Sequence, residues 1–256
     1  MTSLKVYSEP EYMSPSSIGT FNQCPMRYKF SKLDRLPEPS TDPQILGSYV
    51  HEVLEELFKL PREERTMQNA GRIAKELYSS TWQEEFKSLD KVECDENTFR
   101  WRVRWCLENY FELEDPTSFD AAGIEARMSG DIDGVPIYGI IDRWTIEDDK
   151  MVVSDYKTGK KPRPQYEWEK KMQIMIYSIL LEKETGMETK HAELIYLKSP
   201  SVAVYHPTKK IVDSVKATIR QTWDEVTTSC STGEFETRTG PLCNWCNYKR
   251  ICPAWS

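Results

Sequence analysis

The chain has 256 residues, 39% of them hydrophobic and 29% charged, a profile that excludes bulk disorder and leaves enough apolar surface for a real core. Its 34 Lys and Arg stand against 41 Asp and Glu, a formal charge of −7. That balance excludes a surface coated in nucleic-acid-binding charge but leaves room for a local basic groove.

The opening MTSLKVYSEPEY has no apolar run behind basic residues, so no export signal is expected. Ser14-Pro15 followed by SSIGTFNQCPMRYKF reads as a cap, a proline in the first turn and a helix over 15–30. A polar, proline-rich loop follows. Leu46, Val50, Val53, Leu54, Leu57 and Phe58 then make a helical stripe that starts near Leu46 and stops at Pro61. From Arg65 to Leu113 the pattern is helical and charged, with Trp82, Phe86, Trp101, Trp105, Tyr110 and Phe111 expected to pack inward.

Beyond Pro116, IEARMSG, the turn Asp133-Gly134 and VPIYGIIDRWTIE read as a β-hairpin, with MVVSDYK as the next strand. A helix over 165–184 carries Met172, Ile176, Ile179 and Leu180 on one side. HAELIYL and SVAVYH are two more strands, and a final amphipathic helix runs over 208–227. The most apolar run, Ile174 to Leu181, is too short to span a bilayer, so no membrane partner is expected. This order predicts an α/β fold, a mixed central sheet flanked by helices.

Two apolar runs end in acids. Asp142 closes Tyr138-Gly139-Ile140-Ile141, and Asp155 follows Met151-Val152-Val153-Ser154. If the strands are antiparallel neighbours, the two carboxylates meet, and Lys157 leaves the same face as Asp155. An acid beside a lysine is often only a solvated pair. Two acids and a lysine at the rim of a core have a chemical use: carboxylates hold magnesium or manganese, and a lysine orients water or steadies charge on phosphate.

The seven cysteines are an odd number, which argues for thiols rather than a disulfide framework. Cys243-x2-Cys246-x5-Cys252 has ligand spacing, and Cys24 is the best fourth ligand. Zinc and iron–sulfur clusters both accept four thiolates, and the spacing does not choose between them. Cys94, Cys106 and Cys230 lack such spacing and read as ordinary thiols.

Together GIIDRW, SDYKTGK and QIMIY resemble the RecB-type exonuclease branch of the PD-(D/E)xK nuclease superfamily, along nearly the whole chain. The proline that names the motif is replaced by Ile141. The resemblance implies a restriction-endonuclease-like core, with His51, Asp142, Asp155 and the Tyr156 carbonyl as ligands of Mn2+ or Mg2+. It implies Asp142, Asp155, Lys157, Gln173 and Tyr177 as the catalytic set, with Gln173 and Tyr177 contacting DNA or ordering the lysine and its water. Glu125 resembles a supporting acid at the edge of the site. The cysteine pattern is similar to that of the iron–sulfur RecB-like nucleases, among them the fourth CRISPR-associated protein and the AddB nuclease domain. That likeness implies a [4Fe-4S] cluster on Cys24, Cys243, Cys246 and Cys252, stapling distant parts of the chain.

The implied organisation is one nuclease domain over 1–256. It has a helical insertion at about 61–115, a core at about 116–228 and an iron–sulfur segment at 14–30 plus 240–256. The implied activity is 5′→3′ degradation of single-stranded DNA ends in the cytoplasm, either of a prokaryotic cell or of a phage's host. A helicase or a CRISPR integrase is the implied partner. Lys157 to Arg163, KTGKKPR, carries four basic residues and no acid and reads as a phosphate-gripping loop, with Tyr166, Trp168 and Arg27-Tyr28 offering stacking surfaces. The alternative is an inactive DNA-end-binding module of the same fold serving such a complex.

Overall fold

A computed structural model describes residues 5–89 and 92–255. Residues 1–4, 90–91 and 256 of the expected domain, two of them within the 65–113 helical stretch, lie outside the described residues. In chain order come α1 (Pro15–Gln23), α2 (Pro25–Tyr28), α3 (Asp42–Phe58), α4 (Met67–Leu77), α5 (Gln83–Lys87), α6 (Glu96–Leu113), β1 (Gly123–Ile132), β2 (Val135–Glu147), β3 (Lys150–Lys157), α7 (Trp168–Thr185), β4 (Thr189–Tyr196), β5 (Ser201–Tyr205) and α8 (Lys209–Thr232).

The strands form a mixed sheet in the order β1-β2-β3-β4-β5, the fold class expected. β2 and β3 are antiparallel, β3 and β4 parallel, β4 and β5 antiparallel. The parallel pair requires a crossover, and α7 supplies it. Two compact units divide the chain: Met1–Pro39, Met128–Gly139 and Thr208–Ser256 in one, Ser40–Arg127 and Ile140–Pro207 in the other. β1 and β2 contribute residues to both.

In the first unit, the expected helix over 15–30 is broken at Cys24, whose backbone is extended (φ −162°, ψ 109°). Pro25 is the cause, because the residue before a proline is pushed out of the helical region. Beyond α2 a π-helical turn carries the chain from Lys29 to Leu33. Asp133 and Gly134 both have positive φ (52° and 82°), as a two-residue hairpin turn requires. α8 runs past Thr227 to Thr232, where Gly233 takes the left-handed conformation that ends it.

In the second unit, α3 starts at Asp42, ahead of Leu46, because the Gln44 side chain accepts the Thr41 amide and closes the helix start. α7 starts at Trp168, after a 3₁₀ turn over Pro164–Tyr166. Of the aromatics expected to pack inward, Trp82, Phe86 and Tyr110 do, and Phe111 is half-buried. Trp101 and Trp105 do not: they are 53% and 42% exposed. α6 buries Phe99, Val103, Cys106, Leu107 and Tyr110, and that stripe turns positions 101 and 105 outward.

One charged side chain sits at the centre of this unit. Arg143 on β2 is 2% exposed. Its guanidinium grips both Glu114 oxygens, at 2.6 and 2.7 Å, and reaches Ser154 Oγ at 3.0 Å. Ser154 in turn donates to Glu193 at 2.7 Å. Arg143, Ser154 and Glu193 are in register across β2, β3 and β4, so the clasp locks three strands and the end of α6 together. Glu114→Ala leaves a buried guanidinium short of its partner and is expected to cost about 3 kcal/mol. Thermal denaturation reads this as a Tm fall of roughly 6 to 12 °C, while Arg143→Met with Glu114→Leu recovers part of the loss.

Candidate active site

The end of the β2–β3 ladder builds the site. With Arg143 opposite Ser154, the next residues in register are Asp142 and Asp155, side by side on the other face of the sheet. Asp142 Oδ2 accepts the Tyr156 amide at 2.7 Å. Lys157 Nζ lies 2.5 Å from Asp155 Oδ2. Lys157 is the one cation against that buried oxygen among the described residues, a charge-assisted contact. On α7, Gln173 Oε1 accepts from Lys157 Nζ at 3.2 Å, and Gln173 Nε2 donates to the Tyr177 hydroxyl at 3.2 Å. The four-residue helical spacing puts those two side chains on one face.

α3 brings the histidine. A Cβ on Gly47 would stand 3.3 Å from Thr158 Oγ1, so glycine there lets α3 approach the loop after β3. One turn on, His51 Nδ1 lies 3.4 Å from Asp142 Oδ2 and Nε2 lies 3.0 Å from the Tyr156 carbonyl oxygen. Both neighbours are acceptors, so the ring fits there as an imidazolium. Burial works against that charge, but the Asp142 carboxylate outweighs it and raises the His51 pKa to about 9.

Glu125 completes the cluster. It has a φ of 45° inside β1, an unusual conformation for a strand residue. A carboxylate oxygen of Glu125, one of Asp142 and a ring nitrogen of His51 lie within 4.8 Å of one another. Burial and then the Asp142 charge push the Glu125 pKa up to about 7. Burial also raises Asp155, against the pull of Lys157. Asp142 is buried too, yet His51, Lys157 and the Tyr156 amide hold it below the ordinary carboxylate range. One acid keeps its charge and its neighbour resists ionising, as expected of two carboxylates in one buried site.

Such a set fits a hard divalent cation. The donors are carboxylates, a carbonyl and an imidazole, and beside the ionised Asp142 both Asp155 and Glu125 resist ionising without further positive charge. The expected ligands His51, Asp142, Asp155 and Tyr156 are thus together, as are Lys157, Gln173 and Tyr177. Glu125, read from sequence only as a supporting acid, belongs to the cluster. Arg143 was not singled out; its signal is a charge inside an apolar strand, in register with Glu193 inside another.

The proposed stacking surfaces divide. Tyr166 and Trp168 are exposed, but Tyr28 is 2% exposed and packs edge-on against Phe21, so it cannot meet a base. Arg27 is engaged with Glu38 at 2.8 Å.

The four cysteines come together in the first unit. Cys24, Cys243, Cys246 and Cys252 line one pocket, walled by Phe30 and Trp255. The chain is stitched around it: Met26 N–H donates to Glu236 O at 3.0 Å, Arg238 to Asn22 O at 2.7 Å, and the Tyr248 hydroxyl to Leu36 O at 3.0 Å. Gly240 N–H points at Cys243 Sγ at 3.4 Å. Cys106 and Cys230 are buried thiols elsewhere.

Residues 12–253 match the PD-(D/E)XK nuclease superfamily. The chain belongs to that superfamily of metal-dependent nucleases, and its substrate is DNA. The Gene 69 proteins of the Mycobacterium phages D29 and L5 are each 21% identical, over 94% of this chain and 96% of the relative. A crystal structure from Eubacterium rectale, named as a candidate exonuclease, superposes with a TM-score of 0.59 at 15% identity. It covers 94% of this chain and 89% of its own, and it shows the shared fold. No helix among the described residues is long and apolar enough to cross a membrane.

Cation binding here must displace protons. The protonated forms of Glu125 and His51 prevail below about 7 and about 9 respectively, so raising the pH frees ligands. Titration calorimetry should show Mn2+ binding with net proton release and tightening from about pH 6 to about pH 8; an affinity flat across that range contradicts the assignment.

Proposed function

We propose that the protein is a DNA exonuclease that degrades single-stranded ends, in the 5′→3′ direction, with His51, Asp142, Asp155 and the Tyr156 carbonyl holding Mn2+ or Mg2+. The observation that carries this reading is the convergence of Asp142, Asp155 and Lys157 at the end of the β2–β3 ladder, beside His51. When bound, a divalent cation polarises the scissile phosphate and makes water a stronger nucleophile. Lys157 is placed to orient that water or to steady the charge growing on phosphate. Gln173 fixes the Lys157 amine, and Tyr177 fixes Gln173. Glu125 adds a carboxylate to the cation's surroundings.

In this reading the loop after β3 grips the incoming strand. Lys160, Lys161 and Arg163 are exposed on it, and Tyr166 and Trp168 beside them offer faces for unpaired bases. α4 to α6 form the helical insertion. Polarity and the preference for single strands rest on the likeness to RecB-type exonucleases. A helicase or a CRISPR integrase that delivers such ends, in a prokaryotic or phage-infected cytoplasm, completes the reading.

The test is digestion of end-labelled single-stranded DNA with Mn2+ or Mg2+, beside EDTA controls. Wild type should shorten the DNA from its 5′ end. Lys157→Ala should lose at least about 10²-fold in rate, and Tyr177→Phe only a few-fold, because it leaves the lysine in place. Endonucleolytic cuts, or equal activity in Lys157→Ala, refute the assignment.

We also propose a [4Fe-4S] cluster on Cys24, Cys243, Cys246 and Cys252, supported by four thiols lining one pocket with an amide aimed at one sulfur. Its role is structural, a staple between residue 24 and the C-terminal segment. Anaerobically purified protein should be brown and absorb near ~400 nm, and Cys243→Ser should bleach it and lower its melting temperature. A colourless protein carrying one zinc contradicts the cluster.

A further inference from the structure

α6 carries a surface that the catalytic cluster does not use. Arg100, Trp101, Arg104 and Trp105 all lie on its solvent side. The four-residue spacing makes two neighbouring rows, one of arginines and one of tryptophans. The indoles meet edge to face with centroids 4.5 Å apart. An acidic chain has thus placed two large aromatic rings and two cations on one exposed helix face.

Among the described residues, the polar and ring partners of this face are weakly held. Arg104 pairs with Glu108 at 2.7 Å and Arg100 lies 4.9 Å over the Tyr78 ring. Both arginines are exposed, and exposed pairs of this kind are weak enough to exchange for phosphate. Arg102, half-buried, lies 3.8 Å from Asp42 and stands apart from the two rows.

α6 itself is tied to the strand that carries Lys157. Farther along α6, Asn109 donates to the Leu197 carbonyl at 2.6 Å, and the Leu197 amide donates to the Lys157 carbonyl at 2.8 Å. Asn109 is thus two hydrogen bonds from the catalytic lysine's backbone. Trp101 and Trp105 lie about 12 and about 6 Å from Asn109 along the helix axis, on a helix that packs through Tyr110 on Tyr156, the face of β3 opposite Asp155 and Lys157.

We propose that the outer face of α6 is a stacking platform for unpaired bases of the DNA strand that enters the site. Bases lie on Trp101 and Trp105, and phosphates lie along Arg100 and Arg104. Aromatic faces beside a basic row hold single strands without reading sequence, because every base has a face to stack. A duplex, with its bases inside, gains nothing from the tryptophans. This platform deepens the nuclease reading and rests on it for the direction of the strand.

The test separates binding from cleavage. A fluorescein-labelled oligothymidine and a blunt duplex of equal length are titrated with Lys157→Ala protein in EDTA, where no turnover interferes. Adding Trp101→Ala and Trp105→Ala should weaken oligothymidine binding at least about tenfold and leave duplex binding unchanged. Trp101→Phe with Trp105→Phe should retain most of the affinity, which also guards against a misfolded alanine variant. Arg100→Ala with Arg104→Ala should lower the salt slope by about one to two. Unchanged oligothymidine binding by a folded alanine variant overturns the proposal, as does an equal loss on duplex. So does a shift from dimer to monomer with oligothymidine binding intact, which would make the pair a self-association surface. If wild type fails to cleave but the tryptophan variants still lose binding, the platform stands and the catalytic reading falls; active wild type with unaffected variants gives the converse.

Discussion

The buried clasp of Arg143 with Glu114, Ser154 and Glu193 is the constraint on which the second unit depends. A strand has two faces, and a register slip of one residue swaps them. Arg143 cannot move to the other face without stranding a guanidinium, so β2 is held against β3 and β3 against β4 in one register. The residues next to Arg143 and Ser154, Asp142 and Asp155, are thereby fixed side by side on the opposite face. The polar network and the two acids of the candidate site are two sides of the same pleat.

That placement has an electrostatic consequence. Two buried carboxylates are drawn together beside a half-buried imidazole and a half-buried lysine. In the cation-free arrangement, charge is balanced by a proton on His51 and by an Asp155 that resists ionising. A divalent cation held by His51, Asp142 and Asp155 would supply that positive charge instead and would displace those protons. The site is preorganised by strands and by α3, whose close approach depends on Gly47.

Much of this was legible in the sequence, and the limits have physical reasons. Asp142, Asp155 and Lys157 could be read because each acid ends an apolar run and strand geometry has a strict period. Gln173 and Tyr177 follow from helical spacing once a site is suspected. His51 needed the family resemblance, since a histidine beside an apolar stripe is more often packed. The weight of Glu125 was hidden because a positive φ inside a strand leaves no mark on composition. Trp101 and Trp105 depart from the expected burial because Phe99, Val103 and Tyr110 already fill the inner stripe of α6. The break at Cys24 was foreshadowed by Pro25. The burial of Tyr28 is not legible because one helical turn beside an arginine looks the same exposed or buried.

The most direct measurement of the central claim is anomalous diffraction from a crystal soaked in manganese. The account predicts a manganese peak bounded by His51, Asp142, Asp155 and the Tyr156 carbonyl, with the Lys157 amine close by and the His51 ring turned from its hydrogen bond to Tyr156. A peak elsewhere, or none while the ring still bridges Asp142 and Tyr156, would contradict it.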